Sequence, residues 1–531
     1  MPIRHYVSRL WLALSLSFYL FTPYLNRYID PANRFFFHWV RSDLFSLLLC
    51  IIAVGFLFFL CYFFLYVRGT AITRRMCEIF FILLVGIAVV ANISSLVRVT
   101  QNKPSDFIIA LGMVAWLFMC AGVVWLFMKH ARRVKAICMA LCFLLSPVFP
   151  IFTLNSLRYQ SYISDIGNVP AIQEGGYVKD AGGRNVYIFI FDEWSYQRSF
   201  KDRTLIPSLP HLQKFADQSM VFHRAQAPSN NTATAMPSLL YQTGLRFVFR
   251  GTELGFQGRE FHPLDQAENI FHRAKHMGCF TALIGSAMPY GEMLDSTLDF
   301  CRSIPGFKRF GDSFFGVAKY HLLTAALLLP APFLHYERTL LAHYFFNKFQ
   351  IFCIATTHDL FAQVIKIQRP CTFGVFHYMI PHLPYIFTPE GGHKEFFRLY
   401  ESNDPSSYYD NLAYVDTKIG EIIAMLREAD KFDESLIIFT SDHGWRFDPD
   451  YKGDWWQQFI AMCHVPLFIK LPFQRHSIEV DTKFETLRLG NFINRYLDGD
   501  FGLQEVERLL REENFFKPIP LETETNPEAG E

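Results

Sequence analysis

The stretch NVYIFIFDEW, residues 185–194, places six consecutive apolar or aromatic residues directly before two carboxylates. A short apolar run without alternation is typical of a β-strand that is covered on both faces. Similar runs recur downstream, and the full set of expected strands is residues 186–191, 279–284, 373–377, 435–440 and 465–470. Residues 410–429 carry apolar side chains at helical spacing. Strands that alternate with helices predict an α/β domain with a mostly parallel central sheet flanked by helices.

The first part of the chain has a different composition and points to the membrane. Five stretches are long and apolar enough to cross a bilayer, which takes about 20 residues. They are residues 8–26, 44–67, 77–97, 107–128 and 134–154. A cleaved signal peptide is the alternative interpretation of the first stretch, although no small-residue cleavage site follows it. We therefore expect about five transmembrane helices.

The short loops between these stretches set the expected orientation. With the N-terminus inside, the cytoplasmic segments hold nine Lys and Arg residues and the outer loops hold five. An odd number of spans then puts the remainder of the chain outside the cytoplasm. The expected organisation is a transmembrane region over 1–154, a linker over 155–184, an α/β domain over 185–517 and a disordered tail over 518–531.

The net charge indicates which partners to expect, and the cysteines bear on whether the chain lies in an oxidising compartment. The net charge is only +1, and no basic block is interleaved with aromatic residues, so we expect no nucleic-acid partner. Five of the 11 cysteines lie outside the apolar stretches, and none of them forms a C-x-x-C pair. Cys279 and Cys301 stand at the two ends of the segment 279–301 and can pair in an oxidising compartment. The alternative is that both thiols are unpaired.

Three of the expected strands end in residues that bind metal ions. Ligands of open α/β sheets bind beyond the carboxyl ends of the strands. The residues found there are Asp192 and Glu193 after the first strand, His377 and His382 in FGVFHYMIPH, and Asp442 and His443 in SLIIFTSDHG. A carboxylate directly after six apolar residues is poorly explained by packing, and an acidic helix cap is the alternative. Carboxylate oxygens with an imidazole nitrogen suit a divalent cation.

A second feature is the hydroxyl-rich stretch APSNNTATAMPSLLYQTG, residues 227–244. Apolar residues at helical spacing predict a helix that begins around Thr232 and Thr234. A hydroxyl at a helix start lies beside free backbone N–H groups and the positive end of the helix dipole. That environment binds a phosphoryl or sulfuryl oxygen and stabilises an alkoxide, and a bound metal ion lowers the hydroxyl pKa further. The alternative is that Thr232 or Thr234 is only the N-cap.

Five motifs follow one another in a family-specific order: NVYIFIFDEW, NNTATAMPSLL, HYMIPHLPY, TSDHG and HVPLFIK. The ordered set resembles the sulfatase-like branch of the alkaline phosphatase superfamily over roughly residues 185–500. Together with the apolar stretches, the chain is similar in particular to bacterial phosphoethanolamine transferases and lipoteichoic acid synthases.

The resemblance implies a role for each motif residue. The implied metal ligands are Asp192, Glu193, Thr232, Asp442 and His443. His377 and His382 match a pair that helps to bind or protonate the transferred group, and His464 matches a residue near the metal or the substrate phosphate. Zinc is the expected ion, and manganese, magnesium and calcium also fit an oxygen-rich site.

The nucleophile follows from the same comparison. The position that sulfatases use for Cys or Ser is Ala235 here, and Leu239 replaces the arginine of the sulfatase motif. The transferases place a threonine five residues before the proline, which is Thr232 in this chain. Counting back from Thr243 and Gly244 favours Thr234 as the alternative nucleophile.

The resemblance also implies an activity and a location. It implies a membrane-anchored transferase that moves a phospho-substituent, such as phosphoethanolamine or glycerol phosphate, through a covalent phospho-threonine. The donor would be a membrane lipid and the acceptor a surface glycan or glycolipid. The enzyme would lie in the bacterial cytoplasmic (inner) membrane, with its catalytic domain on the periplasmic side. A phosphodiesterase, phosphatase or sulfuric ester hydrolase, and an inactive lipid-sensing or scaffold protein, are the alternatives.

Overall fold

The computed structural model describes residues 3–29, 41–98, 106–158, 165–169, 184–250, 253–258, 260–264, 267–306, 313–328, 340–394, 404–499 and 506. The chain divides into two compact units. The first contains Met1–Tyr162 and Gly306–Phe345, and the second contains Ile163–Pro305 and Phe346–Glu531.

The described helices follow one another along the whole chain. They are α1 (Ile3–Ile29), α2 (Arg41–Cys61), α3 (Ala71–Arg98), α4 (Asp106–Leu145), α5 (Val148–Arg158), α6 (Tyr196–Ser199), α7 (Pro210–Ala216), α8 (Thr232–Tyr241), α9 (His272–His276), α10 (Tyr290–Leu294), α11 (Phe314–Leu328), α12 (Leu340–Val364), α13 (Pro405–Glu428), α14 (Trp455–Cys463) and α15 (Leu489–Asp498). A π-helical turn, Tyr62–Val67, continues α2.

The described strands all lie in the second unit. They are β1 (Asp165–Ile166), β2 (Val186–Phe191), β3 (Phe200–Lys201), β4 (Thr204–Leu205), β5 (Met220–Phe222), β6 (Ala225–Gln226), β7 (Arg246–Arg250), β8 (Glu253–Gln257), β9 (Phe261–Pro263), β10 (Phe280–Ser286), β11 (Phe300–Ile304), β12 (Thr372–Tyr378), β13 (Leu436–Ser441), β14 (Leu467–Lys470), β15 (Ile478–Val480) and β16 (Phe484–Glu485).

The first unit is built from long apolar helices. Two segments are long and apolar enough to cross a membrane, Arg41–Val67 and Lys129–Arg158, and they cover the second and fifth predicted spans. Helix α4 is interrupted at His130, whose backbone is not helical, so the fifth span starts where the sequence analysis expected a loop. The other three predicted spans lie within α1, α3 and α4, and the five-span topology stays a prediction.

The boundary between the two units differs from the predicted one. The sequence analysis assigned all of 185–517 to one domain, whereas Gly306–Phe345 groups with the N-terminal helices. The reason is apolar packing, because Val317 and Tyr320 of α11 are buried in one cluster with Phe18 of α1 and Ile51 of α2.

The second unit contains a nine-stranded sheet in the order β1-β11-β10-β12-β2-β13-β14-β5-β15. The five strands from β11 to β13 are parallel to one another, while β14 pairs antiparallel with both β13 and β5. This confirms the α/β fold with a mostly parallel central sheet. All five predicted strands are present, although the antiparallel direction of β14 was not anticipated.

Part of the predicted linker has regular secondary structure, whereas the predicted tail is not among the described residues. Helix α5 extends to Arg158, and Asp165–Ile166 forms an edge strand that pairs with β11 inside the predicted linker 155–184. The tail 518–531 lies outside the described residues.

A disulfide joins the starts of two neighbouring strands. Cys279 is bonded to Cys371, with 4.6 Å between their Cα atoms, and Cys301 is a buried free thiol. The Cys279–Cys301 pair, one of the two alternatives left open by the sequence, is therefore wrong, and of the two thiols only Cys301 is unpaired. The register explains the result, because Phe280 pairs with Thr372 and so brings the two preceding cysteines together. Cys301 instead lies within β11 opposite Leu283.

This bond predicts a specific response to cysteine substitution. The disulfide closes a loop of 92 residues, and a loop of that size is worth about 2–4 kcal/mol of stability. We expect Cys371→Ala to lower the melting temperature of the full chain and to abolish its sensitivity to reductant, whereas Cys301→Ala keeps that sensitivity. Calorimetry with and without dithiothreitol, together with non-reducing peptide mapping, checks this. A crosslinked peptide that contains Cys301 would contradict it.

Candidate metal centre and nucleophile

Three adjacent parallel strands bring the candidate ligands to one edge of the sheet. In the register of β12, β2 and β13, Tyr378 and Ser441 both pair with Phe191. Asp192 and Asp442 are the residues directly after two of these strand ends. The side chains that the sequence analysis found at separate strand ends therefore meet because the strands are neighbours.

Four side chains form a compact group around one point. The Thr232 hydroxyl lies 3.5 Å from Asp192 Oδ1 and 3.4 Å from His443 Nε2. His443 Nε2 lies 3.7 Å from Asp192 Oδ1 and 3.5 Å from Asp442 Oδ2. Ligands about 2.1 Å from a tetrahedral zinc ion are about 3.4 Å from one another. The spacing of these four atoms fits a bound ion of that size.

Hydrogen bonds orient two of these ligands toward the centre. His443 Nδ1 is 2.8 Å from the Gly444 carbonyl oxygen, so Nδ1–H donates there and the Nε2 lone pair faces the group. Asp442 Oδ1 accepts the backbone N–H groups of His443 and Glu193, at 2.8 and 3.3 Å. Its other oxygen, Oδ2, is buried without a hydrogen-bond partner. A buried orphan carboxylate oxygen among ligand atoms is what a cation site requires.

Thr232 is free to join the group because another residue caps the helix. Asn231 is the N-cap of α8, and its side chain accepts the Thr234 N–H at 3.0 Å. The alternative that Thr232 or Thr234 is the cap is therefore wrong. Thr232 is the first residue of α8 and its hydroxyl faces Asp192 and His443. The geometry brings Thr232, rather than Thr234, to the metal ligands.

His377 lies with the carboxylates. One ligand atom each from Asp192, His377 and Asp442 lies within 4.8 Å of the others, and all three residues are buried. His377 Nδ1 is 2.8 Å from the Tyr290 hydroxyl, while its Nε2 has no hydrogen-bond partner. Burial lowers the pKa of His377 to about 4. A neutral imidazole with a free nitrogen can bind a metal ion, which is a different role from the proton transfer expected for it.

His382 and Glu193 lie together with Arg446, which the sequence analysis missed. Arg446 Nε donates to Glu193 Oε1 at 2.6 Å, and its Nη2 donates to His382 Nε2 at 3.0 Å. His382 Nδ1 donates to the Leu383 carbonyl at 2.6 Å. The signal available in the sequence was a cation two residues after the TSDHG motif.

The buried charges shift one another's protonation. Burial, together with the charges of Asp442 and Glu193, raises the pKa of Asp192 well above its usual range. Burial also acts to raise the pKa of Glu193, but its neighbours His382 and Arg446 outweigh burial and lower that pKa. Three carboxyl groups in one buried site therefore need positive charge nearby, which a divalent ion supplies when bound.

His464 does not join this group. Its Nε2 is 3.0 Å from the His223 carbonyl oxygen, and its Nδ1 is 3.4 Å from the Gln197 amide nitrogen. The ring stacks on Tyr196 with 4.1 Å between centroids. Both ring nitrogens face protein groups other than the carboxylates, so the structure places His464 in the packing around the site.

Metal content tests this centre directly. We expect Asp442→Asn to lose the bound divalent ion, because the buried Oδ2 that faces the other ligands loses its charge. The matched control is Asp416→Asn, since Asp416 is also buried but accepts the His211 and Leu212 N–H groups at the start of α7. Elemental analysis of both purified variants is the measurement. Equal metal content in the two would contradict the assignment.

Comparison with known proteins gives a family for part of the chain. Residues 351–488 match the sulfatase family model. Human iduronate 2-sulfatase is 32% identical over 74 residues, which are 14% of this chain and 13% of that protein. Choline-sulfatase of Rhizobium meliloti (strain 1021) is 37% identical over 68 residues, which are 12% of this chain and 13% of that protein. The chain thus matches only about an eighth of the length of each curated relative.

Among solved structures, the lipoteichoic acid synthase LtaP from Listeria monocytogenes aligns with a TM-score of 0.38 and 14% identity, over 62% of this chain and 77% of that one. The matched region 351–488 contains His377, His382, Asp442 and His443. The family match therefore identifies a sulfatase-type segment over residues 351–488, in agreement with the sulfatase-like resemblance of the motifs in that segment.

Proposed function

We propose that this chain is a membrane-anchored, metal-dependent phosphotransferase that acts through a covalent phospho-threonine. The observation that carries the proposal is the position of the Thr232 hydroxyl, 3.5 Å from Asp192 Oδ1 and 3.4 Å from His443 Nε2 at the first turn of α8. A hydroxyl among metal ligands at a helix N-terminus is suited to attack a phosphorus or sulfur centre.

The residues divide the first half-reaction among themselves. The residues that would hold the ion are Asp192, Thr232, Asp442 and His443, with His377 beside them. A divalent ion bound there would lower the pKa of the threonine hydroxyl and offset negative charge on the substrate. Thr232 Oγ1 attacks the phosphorus of a lipid-borne phosphodiester, and the bond from phosphorus to the lipid alcohol oxygen breaks. The Thr232 hydroxyl proton is released to solvent, and the departing lipid alkoxide takes up one proton from solvent and leaves as the alcohol.

His382 is the better placed of the two histidines for the second half-reaction. Its side chain is 20% exposed, whereas His377 is buried. His382 Nε2 accepts a hydrogen bond from Arg446, so this nitrogen carries a lone pair. We infer that this lone pair, once released from Arg446, takes the proton of an acceptor hydroxyl, whose oxygen then attacks phosphorus while the bond from phosphorus to Thr232 Oγ1 breaks.

The donor, the acceptor and the location belong to the same proposal. Two helical segments long enough for a membrane support anchoring beside a lipid donor, with both reactants in one plane. The Cys279–Cys371 bond suits an oxidising compartment, which supports a periplasmic catalytic domain in a bacterial cytoplasmic membrane. A multi-pass topology of five spans, and a surface glycan or glycolipid as acceptor, complete the proposal.

Hydrolysis on the same site is the second candidate, because the family match and the curated relatives are sulfatases. Hydrolysis of sulfate esters is disfavoured, because the position of the sulfatase nucleophile is occupied here by Ala235, a buried residue of α8 without a reactive group. Water as acceptor for the phospho-threonine leaves the rest of the mechanism unchanged.

A comparison of two threonine variants tests the proposal. We expect Thr232→Ala to abolish both a trapped phospho-adduct and the mass increase of surface glycolipids, because the attacking oxygen is gone. Thr234→Ala, which changes a residue two positions further along α8, is expected to keep both the phospho-adduct and the glycolipid mass increase. Mass spectrometry of the protein and of extracted glycolipids gives the two readouts.

Two other results of this comparison would change the proposed mechanism. An adduct on Thr234 would contradict the nucleophile. An adduct on Thr232 without any change in glycolipids, together with release of nitrophenol from nitrophenyl phosphodiesters, would favour hydrolysis over transfer.

A further inference from the structure

The centre contains a fixed cation that the family motifs do not account for. Arg446 lies two residues after the last glycine of TSDHG. Its Nε donates to Glu193 Oε1 at 2.6 Å and its Nη2 donates to His382 Nε2 at 3.0 Å. It is therefore tied to both Glu193 and His382.

Glu193 needs this cation because its side chain is fully buried. The side chain of Glu193 has no exposed surface, and a buried carboxylate without a counter-charge costs several kcal/mol. Among the described residues, the ligand atoms within 4.8 Å of one another come from Asp192, His377 and Asp442, whereas Glu193 Oε1 accepts Arg446 Nε and Glu193 Oε2 is buried without a hydrogen-bond partner. The nearest charge partner of Glu193 is the guanidinium at 2.6 Å.

Arg446 keeps donors available after making both contacts. A guanidinium has five N–H donors in a rigid fork, and the contacts with Glu193 and His382 use two of them. Its side chain is 33% exposed, while Glu193 beneath it is inaccessible. The remaining donors can therefore reach an incoming ligand, and the fork geometry matches two oxygens of a phosphate or sulfate group.

We propose that Arg446 is the anion-binding residue of this site. Glu193 is then the partner of Arg446 rather than a metal ligand, and the centre holds one divalent ion. The ligand is the tetrahedral oxyanion of a phosphate or sulfate ester, held between Arg446 and the Thr232 hydroxyl. This inference rests on the proposed function for the identity of the reacting group, but its test does not require any transfer.

The alternative is a purely structural ion pair, and two measurements separate the cases. The full chain is purified in detergent and loaded with one divalent metal. Inorganic phosphate is then titrated by calorimetry, and metal content is measured by elemental analysis. We expect Arg446→Gln to weaken phosphate binding by about ten- to a hundredfold, the loss expected when charge-assisted hydrogen bonds are removed. The metal content should stay at one ion per chain.

Three further variants make the result specific. Arg446→Lys retains charge without the fork and should bind phosphate with intermediate affinity. Glu193→Gln should also keep one ion per chain. The control is Arg475→Gln, which removes an exposed arginine paired with Asp433 near the start of β13. That strand has six residues and spans about 20 Å, so the control lies away from the site.

Two results would overturn the proposal. One is unchanged phosphate affinity in both Arg446→Gln and Arg446→Lys, which would leave a structural ion pair. The other is loss of the metal ion in Glu193→Gln, which would make Glu193 a ligand. Melting curves of each variant identify any that fail to fold, in which case the lysine variant decides. Failure of the Thr232 adduct experiment would leave these binding results unaffected.

Discussion

The parallel, in-register pairing of β12, β2 and β13 is the constraint on which the second unit and its site depend. A shift by one residue would send every side chain of a strand to the opposite face of the sheet. Aromatic contacts across the strands hold the register, since the ring of Phe189 lies 5.3 Å from that of Phe376 and 5.1 Å from that of Phe439. The backbone N–H of Asp192 also donates to the Tyr378 carbonyl at 3.0 Å. The same pairing that buries the core therefore fixes where the metal ligands begin.

The register brings negative charges together, and the surroundings compensate for the cost. Glu193 has a φ angle of 65°, a left-handed conformation that costs a non-glycine residue about 1–3 kcal/mol. Its backbone is held on both sides, because its N–H donates to Asp442 and its carbonyl accepts the Tyr408 hydroxyl at 2.7 Å. This turn directs Asp192 and Glu193 to different partners, one toward Thr232 and the other toward Arg446. Two adjacent carboxylates thus acquire two different partners, a hydroxyl for Asp192 and a guanidinium for Glu193.

The sequence predicted the strands that are continuous apolar runs, and it missed the features that depend on how strands pair with one another. Strand β2 was predicted with its bounds, because six apolar residues end at two carboxylates. The short strand β5 and the strand β11, which contains Arg302 and Ser303, gave no such run and were missed. The direction of β14 and the choice of Cys371 as disulfide partner depend on neighbouring strands, which the order of residues does not specify.

The same distinction applies to the site. Asp192, Asp442 and His443 were identified because each follows a predicted strand. Arg446 was missed because it lies beyond the motif and its contacts join residues more than 60 and 250 positions away. Helix α11 was not grouped with the N-terminal helices because its 15 residues, which include Lys319, are too few to predict a membrane span. Only the cluster with Phe18 and Ile51 reveals where it packs.

His377 and His382 illustrate how one motif separates into two environments. His377 is within β12, so the pleat directs its side chain, and the lack of a side chain on Gly285 makes room for it; a Cβ there would come within 2.8 Å of the His377 Cβ. His382 follows the strand, and its backbone N–H donates to the Asp192 carbonyl at 3.0 Å. Burial lowers the pKa of both histidines, but only His382 is partly exposed. A residue that exchanges protons with an acceptor must be reached by it, which favours His382 for proton transfer and leaves His377 to the ligand group.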